Sequence, residues 1–378
     1  MRRRVLMRDK TGYSHCDMRA FLAFRCARPV SGSLVALEAL STVFTLLGCG
    51  SENVAEVEPV PDVPGWLTQP ERVLPQTLSE VGLYRDANLA APHPRAIAYE
   101  PVHPLWSNGS AKRRYIVLPE GTSIDTTLSD DWGFPEGTLF FKTFTYPARA
   151  GGDAQGQIPV ETRLLWKTDD GFEYGVYLWD EDASDAHLLD ASESPEVTVE
   201  IDGETFQHQV PAKLDCRKCH ESQWSSILGF DELNLNSATE GTQTQLERFA
   251  ANGILSPLPT EPAVIAHEDP TTQRVLEYFE GNCVHCHNGD DFTNSAFDLR
   301  HPVAVQNLVN QETQGEAIGG IRVVPGAPEE SALFLSFSRD GTAEANQAMP
   351  PVGVQRVDQA AVDLLRQWIV DLQQAEDR

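Results

Sequence analysis

Two short stretches announce chemistry in this sequence: Cys216-Arg-Lys-Cys219-His220 and Cys283-Val-His-Cys286-His287. Both read Cys-x-x-Cys-His, the c-type haem attachment pattern. The spacing has a chemical reason. Two thiols add across the vinyl groups on one porphyrin edge, and the following His turns its imidazole to the iron as proximal ligand. Cys216, Cys219, Cys283 and Cys286 are therefore expected to hold two haem c groups covalently, with His220 and His287 as axial iron ligands. Chance supplies roughly 0.003 such motifs in a chain of this composition. Structural zinc sites also use Cys-x-x-Cys, but usually place the second pair about 15–20 residues on. Here the pairs lie 67 residues apart, and zinc does not explain the His at each. A disulfide would not need that His either.

The sixth ligands divide the two motifs. The chain has four Met, and three of them (Met1, Met7 and Met18) fall near the start. Met349 stands in Ala348-Met-Pro-Pro351, after the second motif and before a C-terminal helix. Prolines stiffen such a loop and help present a thioether. Met349 is the expected second axial ligand opposite His287, and His/Met ligation raises the potential. The first motif has no Met left. Its candidates are His93, His103, His187, His208, His267, His285 and His301. His208 and His267 flank it in sequence and lead weakly, and His285 lies between two thiols in a poor direction. A lysine, a water or an open position stay as alternatives.

The surrounding chain bounds the setting. It has 378 residues, 29 Lys+Arg against 56 Asp+Glu, and a net charge of −27. The 41% hydrophobic content excludes a mainly disordered chain. No apolar run suits a multi-span membrane protein, and the acidic balance argues against duplex nucleic acid as a partner. Residues 1–48 are nevertheless basic, and Ser33–Gly48 is an apolar run of signal-peptide length. Leu46-Leu-Gly-Cys49 resembles a bacterial lipobox, which makes Cys49 the expected lipidation site and membrane tether. With Cys16 and Cys26 in the leader, all seven cysteines have a place. Residues 49–65 read as an acidic linker.

Residues 66–210 read as a β domain. Strands are expected at Tyr115–Leu118, Thr138–Tyr146, Glu161–Lys167, Glu173–Trp179, Val197–Ile201 and Phe206–Val210, with turns at Asp169-Asp-Gly171 and Asp202-Gly203. Trp106, Trp132, Trp166 and Trp179, with Lys112, Arg113 and Arg114, either line a cleft or serve as core aromatics and a solvated turn. Helices are expected at Thr244–Asn252, Thr271–Glu280, Glu329–Ser338 and Asp358–Gln373. The third of the chain after residue 266 then places Leu276 and Phe279 against Leu365 and Trp368. Residues 211–265 would carry the first haem, and 266–378 the second. Asp290, Asp291 and Asn294 lack EF-hand spacing and read as a solvated loop. The expected fold class is α+β: an antiparallel β-sandwich-like domain, then a mainly α-helical cytochrome c-like haem region.

The chain also resembles a family of exported bacterial dihaem c-type cytochromes with an N-terminal β domain. The likeness runs from about residue 70 to 375. It is carried by Leu78–Tyr84, Pro104–Gly109 with Lys112–Arg114, Trp132–Thr138, Glu161–Arg163, the two haem motifs, Leu228-Gly-Phe230 and Met349-Pro-Pro351. Leu233-Asn-Leu-Asn236 departs from the pattern. The resemblance implies two haems and electron transfer. Expected partners are redox donor and acceptor proteins, basic ones fitting the acidic body, and an associated dehydrogenase. The expected location is the periplasm or outer envelope of a Gram-negative bacterium. The alternative is a haem enzyme such as a dihaem peroxidase, with an open first haem as reaction centre.

Overall fold

A computed structural model describes residues 65–376, apart from 69–72, 85–91, 130, 149–155, 222–226, 237, 241–242, 260–262, 290–296, 314–319 and 340–347. Glu58–Arg378 forms one compact unit. The leader, Cys49 and the Asp290, Asp291 and Asn294 loop lie outside the described residues.

The strands are β1 (Ile97–Ala98), β2 (Ala111–Val117), β3 (Ile124–Asp125), β4 (Leu139–Pro147), β5 (Gln157–Lys167), β6 (Phe172–Trp179), β7 (Ala186–Leu188), β8 (Glu196–Ile201), β9 (Glu204–Gln209), β10 (Ala238–Glu240), β11 (Gln243–Thr244) and β12 (Leu255–Ser256). The helices are α1 (Leu78–Val81), α2 (Lys213–His220), α3 (Glu232–Leu235), α4 (Gln245–Ala251), α5 (Pro270–Asn282), α6 (Ala304–Leu308), α7 (Ala332–Ser338) and α8 (Gln359–Glu376). Six strands make one antiparallel sheet in the order β1-β2-β4-β5-β6-β7. The expected turns form. Asp202 and Gly203 both take positive φ, which suits a tight two-residue hairpin between β8 and β9.

The sheet is buried on both faces, and alternation along each strand sorts the residues. Leu139, Phe141, Leu164, Trp166 and Tyr177 meet Trp66, Leu78, Val81 and Leu83 on one side. Ile116, Phe140 and Leu165 meet Phe230, Leu235 and Phe249 on the other. The chain after residue 211 therefore covers the second face. A third core sits farther along, where Phe279 meets Trp368 edge-on at 6.3 Å. Leu276 and Leu365 join it, as the apolar stripes of α5 and α8 require.

The expected fold class is corrected here. Among the described residues six strands build one sheet and the other six form three two-stranded pairs, rather than the two stacked sheets of a sandwich, and helices, loops and the β8–β9 pair pack on the main sheet. Among the described residues 27% are helical, and a mainly α-helical cytochrome region is not seen. After residue 211 only α5 and α8, among the described residues, exceed eight residues. Pro257, Pro259, Pro302, Pro325, Pro328, Pro350 and Pro351 cut the rest into short pieces, since proline lacks the N–H a helix interior needs. Part of this region even joins β structure: β12 pairs in parallel with β3.

Candidate functional site

The two motifs are positioned by different means. The first lies on α2, which begins without a side-chain cap at Ala212 and buries none of its residues. It leans on β6, with the Tyr174 and His220 rings 5.8 Å apart. The second follows α5, a well-specified helix. Asp269 caps it by accepting the Thr272 N–H at 2.7 Å, and Pro270 takes the first turn. Val275, Leu276 and Phe279 bury its inner face. Gly281 lets α5 lie against the His103–Pro104 backbone, because a Cβ there would strike the His103 carbonyl.

The fold brings both motifs to one cavity of about 510 Å³. Cys216, Cys219, His220, Cys283, Cys286, His287 and Met349 all line it. The motifs touch: Cys286 Sγ lies 4.0 Å from the Lys218 carbonyl. The ligating atoms of Cys219, His285 and Cys286 all lie within 4.8 Å of one another. Hydrogen bonds from Cys286 and His285 hold the Cys219 thiol well below its usual range. Burial alone pushes Cys283 up to about 12. The His287 ring packs on Phe297 at 4.5 Å, and burial, then His285 and Arg322, lowers its pKa to about 4. Its imidazole thus stays neutral, the form that ligates metals. Met349 is tied by its N–H to the Ser336 carbonyl at 3.0 Å, and Pro350 and Pro351 share the cavity wall.

Other candidates land elsewhere. His208 is a satisfied core residue, bonded to Tyr146 Oη at 2.9 Å and to Glu161 Oε1 at 3.0 Å. His267 is exposed and folds back on Asp269. Neither lines the cavity. Trp132, Trp166 and Trp179 are core residues, and of the four expected tryptophans only Trp106 reaches the cavity wall. The basic triplet is not a solvated turn. Lys112 and Arg114 lie on the sheet face that meets the C-terminal chain. Lys112 donates to the Leu105 carbonyl at 2.7 Å, and burial, then Arg114, takes its pKa down to about 7. Arg114 is 5% exposed and paired with Glu100.

The Pro104–Gly109 stretch proves to be a stitch between distant parts of the chain. The Trp106 N–H donates to Asn282 Oδ1 at 2.7 Å, beside the second motif. Trp106 Nε1 donates to the Arg356 carbonyl at 2.9 Å. Asn108 Oδ1 accepts from the Gln355 and Arg356 N–H groups at 2.7 and 2.9 Å.

Sequence reasoning discounted His285 and missed Lys142 and Arg163. His285 is buried against Cys219 of the other motif, a contact that a single-motif view hides. Lys142 and Arg163 line the cavity from β4 and β5. Their signal was charged residues inside largely buried strands, Lys142 in β4 and Glu161 with Arg163 in β5.

The donor set fits covalently held haem. Two thiol pairs, a neutral imidazole and a thioether surround a largely apolar cavity, whose size is ordinary for ligand sites of about 300–1,000 Å³. Compared with family models, curated proteins and solved structures, the chain matches none.

Proposed function

We propose that the chain is a dihaem c-type cytochrome that carries electrons at the bacterial cell envelope, tethered through Cys49. The contact between the motifs carries this reading: residues 68 apart in sequence meet with Cys286 Sγ 4.0 Å from the Lys218 carbonyl. Two groups attached there would lie side by side, as an internal electron relay requires. Haem iron, when bound, supplies reversible one-electron chemistry. The chain's own residues do the rest. Cys216, Cys219, Cys283 and Cys286 would attach the groups, and His220, His287 and Met349 would supply iron ligands. Val275, Phe279 and Leu365 keep water from the second site. The acidic body selects basic redox partners.

The test is a pyridine haemochrome assay on protein expressed with c-type maturation. Two haems per chain are expected, and fewer than one would overturn the reading. A high-spin, five-coordinate component that turns over peroxide would move it to the haem-enzyme alternative.

A second reading has an observation of its own. Cys219, His285 and Cys286 offer soft sulfur and nitrogen donors within 4.8 Å, a set that suits zinc. Stoichiometric zinc in haem-free protein, lost on Cys219→Ser, would establish it instead.

A further inference from the structure

We infer that Lys142 and Arg163 form a carboxylate-binding pair that receives the propionates of the haem held by Cys216 and Cys219. This rests on the haem reading above and assigns the anion side of that same cavity.

The argument starts from sheet register. Arg114 on β2 stands opposite Lys142 on β4, and Lys142 stands opposite Arg163 on β5. Three cations thus share one row across three neighbouring strands, on the same face. Like charges directly opposite destabilise a sheet, so the row needs anions. Two of the three have them. Arg114 pairs with Glu100 at 3.1 Å. Arg163 makes two bonds to Glu161, from Nε to Oε2 at 2.9 Å and from Nη2 to Oε1 at 2.7 Å.

Lys142, in the middle, has none. Its ammonium sits over the Phe144 ring at 5.2 Å and makes no hydrogen bond or ion pair among the described residues. Lys142 is half-buried, and a cation drawn that far from water is costly to leave without a partner. Lys142 and Arg163 both line the cavity beside Cys216 and Cys219. Asp215 lines it too, but is held by Lys218 at 2.8 Å and by the Ala212 N–H at 3.2 Å. The unmet charge therefore faces the cavity.

Arg163 is built to hold still there. Phe144 supports its guanidinium at 4.2 Å, and Glu161 fixes one edge. Glu161 is itself fixed by His208, and His208 by Tyr146. Nη1 keeps its donors free of protein acceptors among the described residues. A planar fork with one edge anchored and the other open suits a second carboxylate. An ammonium in the adjacent strand adds a point charge to the same anion.

Potentiometric titration of the purified holoprotein tests this, with haemochrome counts on every sample. Lys142→Met and Lys142→Gln each remove the charge and, of the protein's polar contacts, only the one over the Phe144 ring. Both are expected to keep two haems and to lower the midpoint of one haem only, because losing a nearby cation favours the ferric state. Lys142→Arg should restore the midpoint. Lys112→Met, on the same face but outside the cavity lining, should leave both midpoints in place. A purely structural lysine predicts unmoved midpoints and equal or greater stability. Two haems with unmoved midpoints in both neutral variants would overturn the assignment and leave the haem reading standing. Wild-type protein without haem would overturn both.

Discussion

The two Cys-x-x-Cys-His stretches have the same pattern and opposite surroundings. The first sits on α2, a short helix with no buried residue, pressed against a charged sheet face that carries Lys142, Arg163 and Glu161. The second follows α5, whose inner face belongs to an apolar core with Leu365 and Trp368. Burial alone pushes Cys283 up to about 12, whereas Cys219 is held low by hydrogen bonds from across the cavity. The difference teaches that one motif can sit in two environments, because the element behind it sets the electrostatics. Under the dihaem proposal, one site would be tuned by charge and the other by exclusion of water.

The strongest way to break this contrast is to remove each thiol pair. Cys216→Ser/Cys219→Ser and Cys283→Ser/Cys286→Ser should each halve the haemochrome signal. The stability cost should differ. Serine at 283 puts a hydroxyl against an apolar core, at about 1–3 kcal/mol, while Cys216 also packs on apolar clusters but has Arg163, Glu161 and Lys142 close by, so the first pair should cost less. Equal destabilisation by chemical denaturation would erase the contrast.

Met349→Ala comes next. It should lower one midpoint on the order of 0.1 V, within the roughly 0.8 V that axial ligands span, and leave the other in place. Potentiometry that shows both midpoints moving, or neither, would show that Met349 does not belong to the second site alone.

The charged side is sharpened by Glu161. This carboxylate is 0% exposed. Burial would raise its pKa, but Arg163 and His208 outweigh that and hold it at about 2. Its folded value lies below its ordinary value of 4.5. Its stabilisation is therefore complete above about 4.5 and is lost as pH falls through about 2. Glu161→Gln should cost about 3–5 kcal/mol near neutrality, the usual penalty for breaking a buried pair. It should also flatten the acid limb of the stability curve, read by urea titrations across that range.

Much of this was legible beforehand, for identifiable reasons. Runs of aromatic and β-branched residues between turn signals gave away β4, β5 and β6, and Asp202-Gly203 gave away its hairpin. The stripe Leu365, Trp368 and Ile369 placed α8 against α5. The two motifs stood out by their spacing and Met349 by its place before two prolines, and the fold brings all of them to one cavity. The overall architecture was not. Several short strands look alike whether they stack as two sheets or pair into one, and only register decides. The four helices expected after residue 211 form as α4, α5, α7 and α8, but the helical share of the region was overread, because proline-cut loops and short strands fill the chain between them. His285 and Lys142 were illegible for another reason: each gains its meaning from a residue far away in sequence, Cys219 for one and the Arg114–Arg163 row for the other. His208 shows the converse. Closeness in sequence suggested a ligand, and its two ring nitrogens turn out to be spent on Tyr146 and Glu161.

The smallest expected effect tests whether the second site depends on the sheet at all. Asn108 holds a left-handed conformation, φ 57°, which Asn tolerates better than Ala. Its Oδ1 accepts two backbone N–H groups from Gln355 and Arg356, and its Nδ2 donates to Gln355 Oε1 at 2.6 Å. That stretch follows directly on Met349-Pro-Pro351. Asn108→Ala leaves those N–H groups without their acceptor and adds backbone strain, for about 2–3 kcal/mol in all. If the stitch positions the Met349 loop, thioether ligation weakens and the spectrum of the second haem changes while the first stays constant. Resonance Raman or magnetic circular dichroism on the purified variant separates the two haems. Loss of stability with both spectra unchanged would mean that Asn108 only joins the halves of the fold. In that case the second site's ligand loop is held by its own prolines and by the bond from the Met349 N–H to the Ser336 carbonyl.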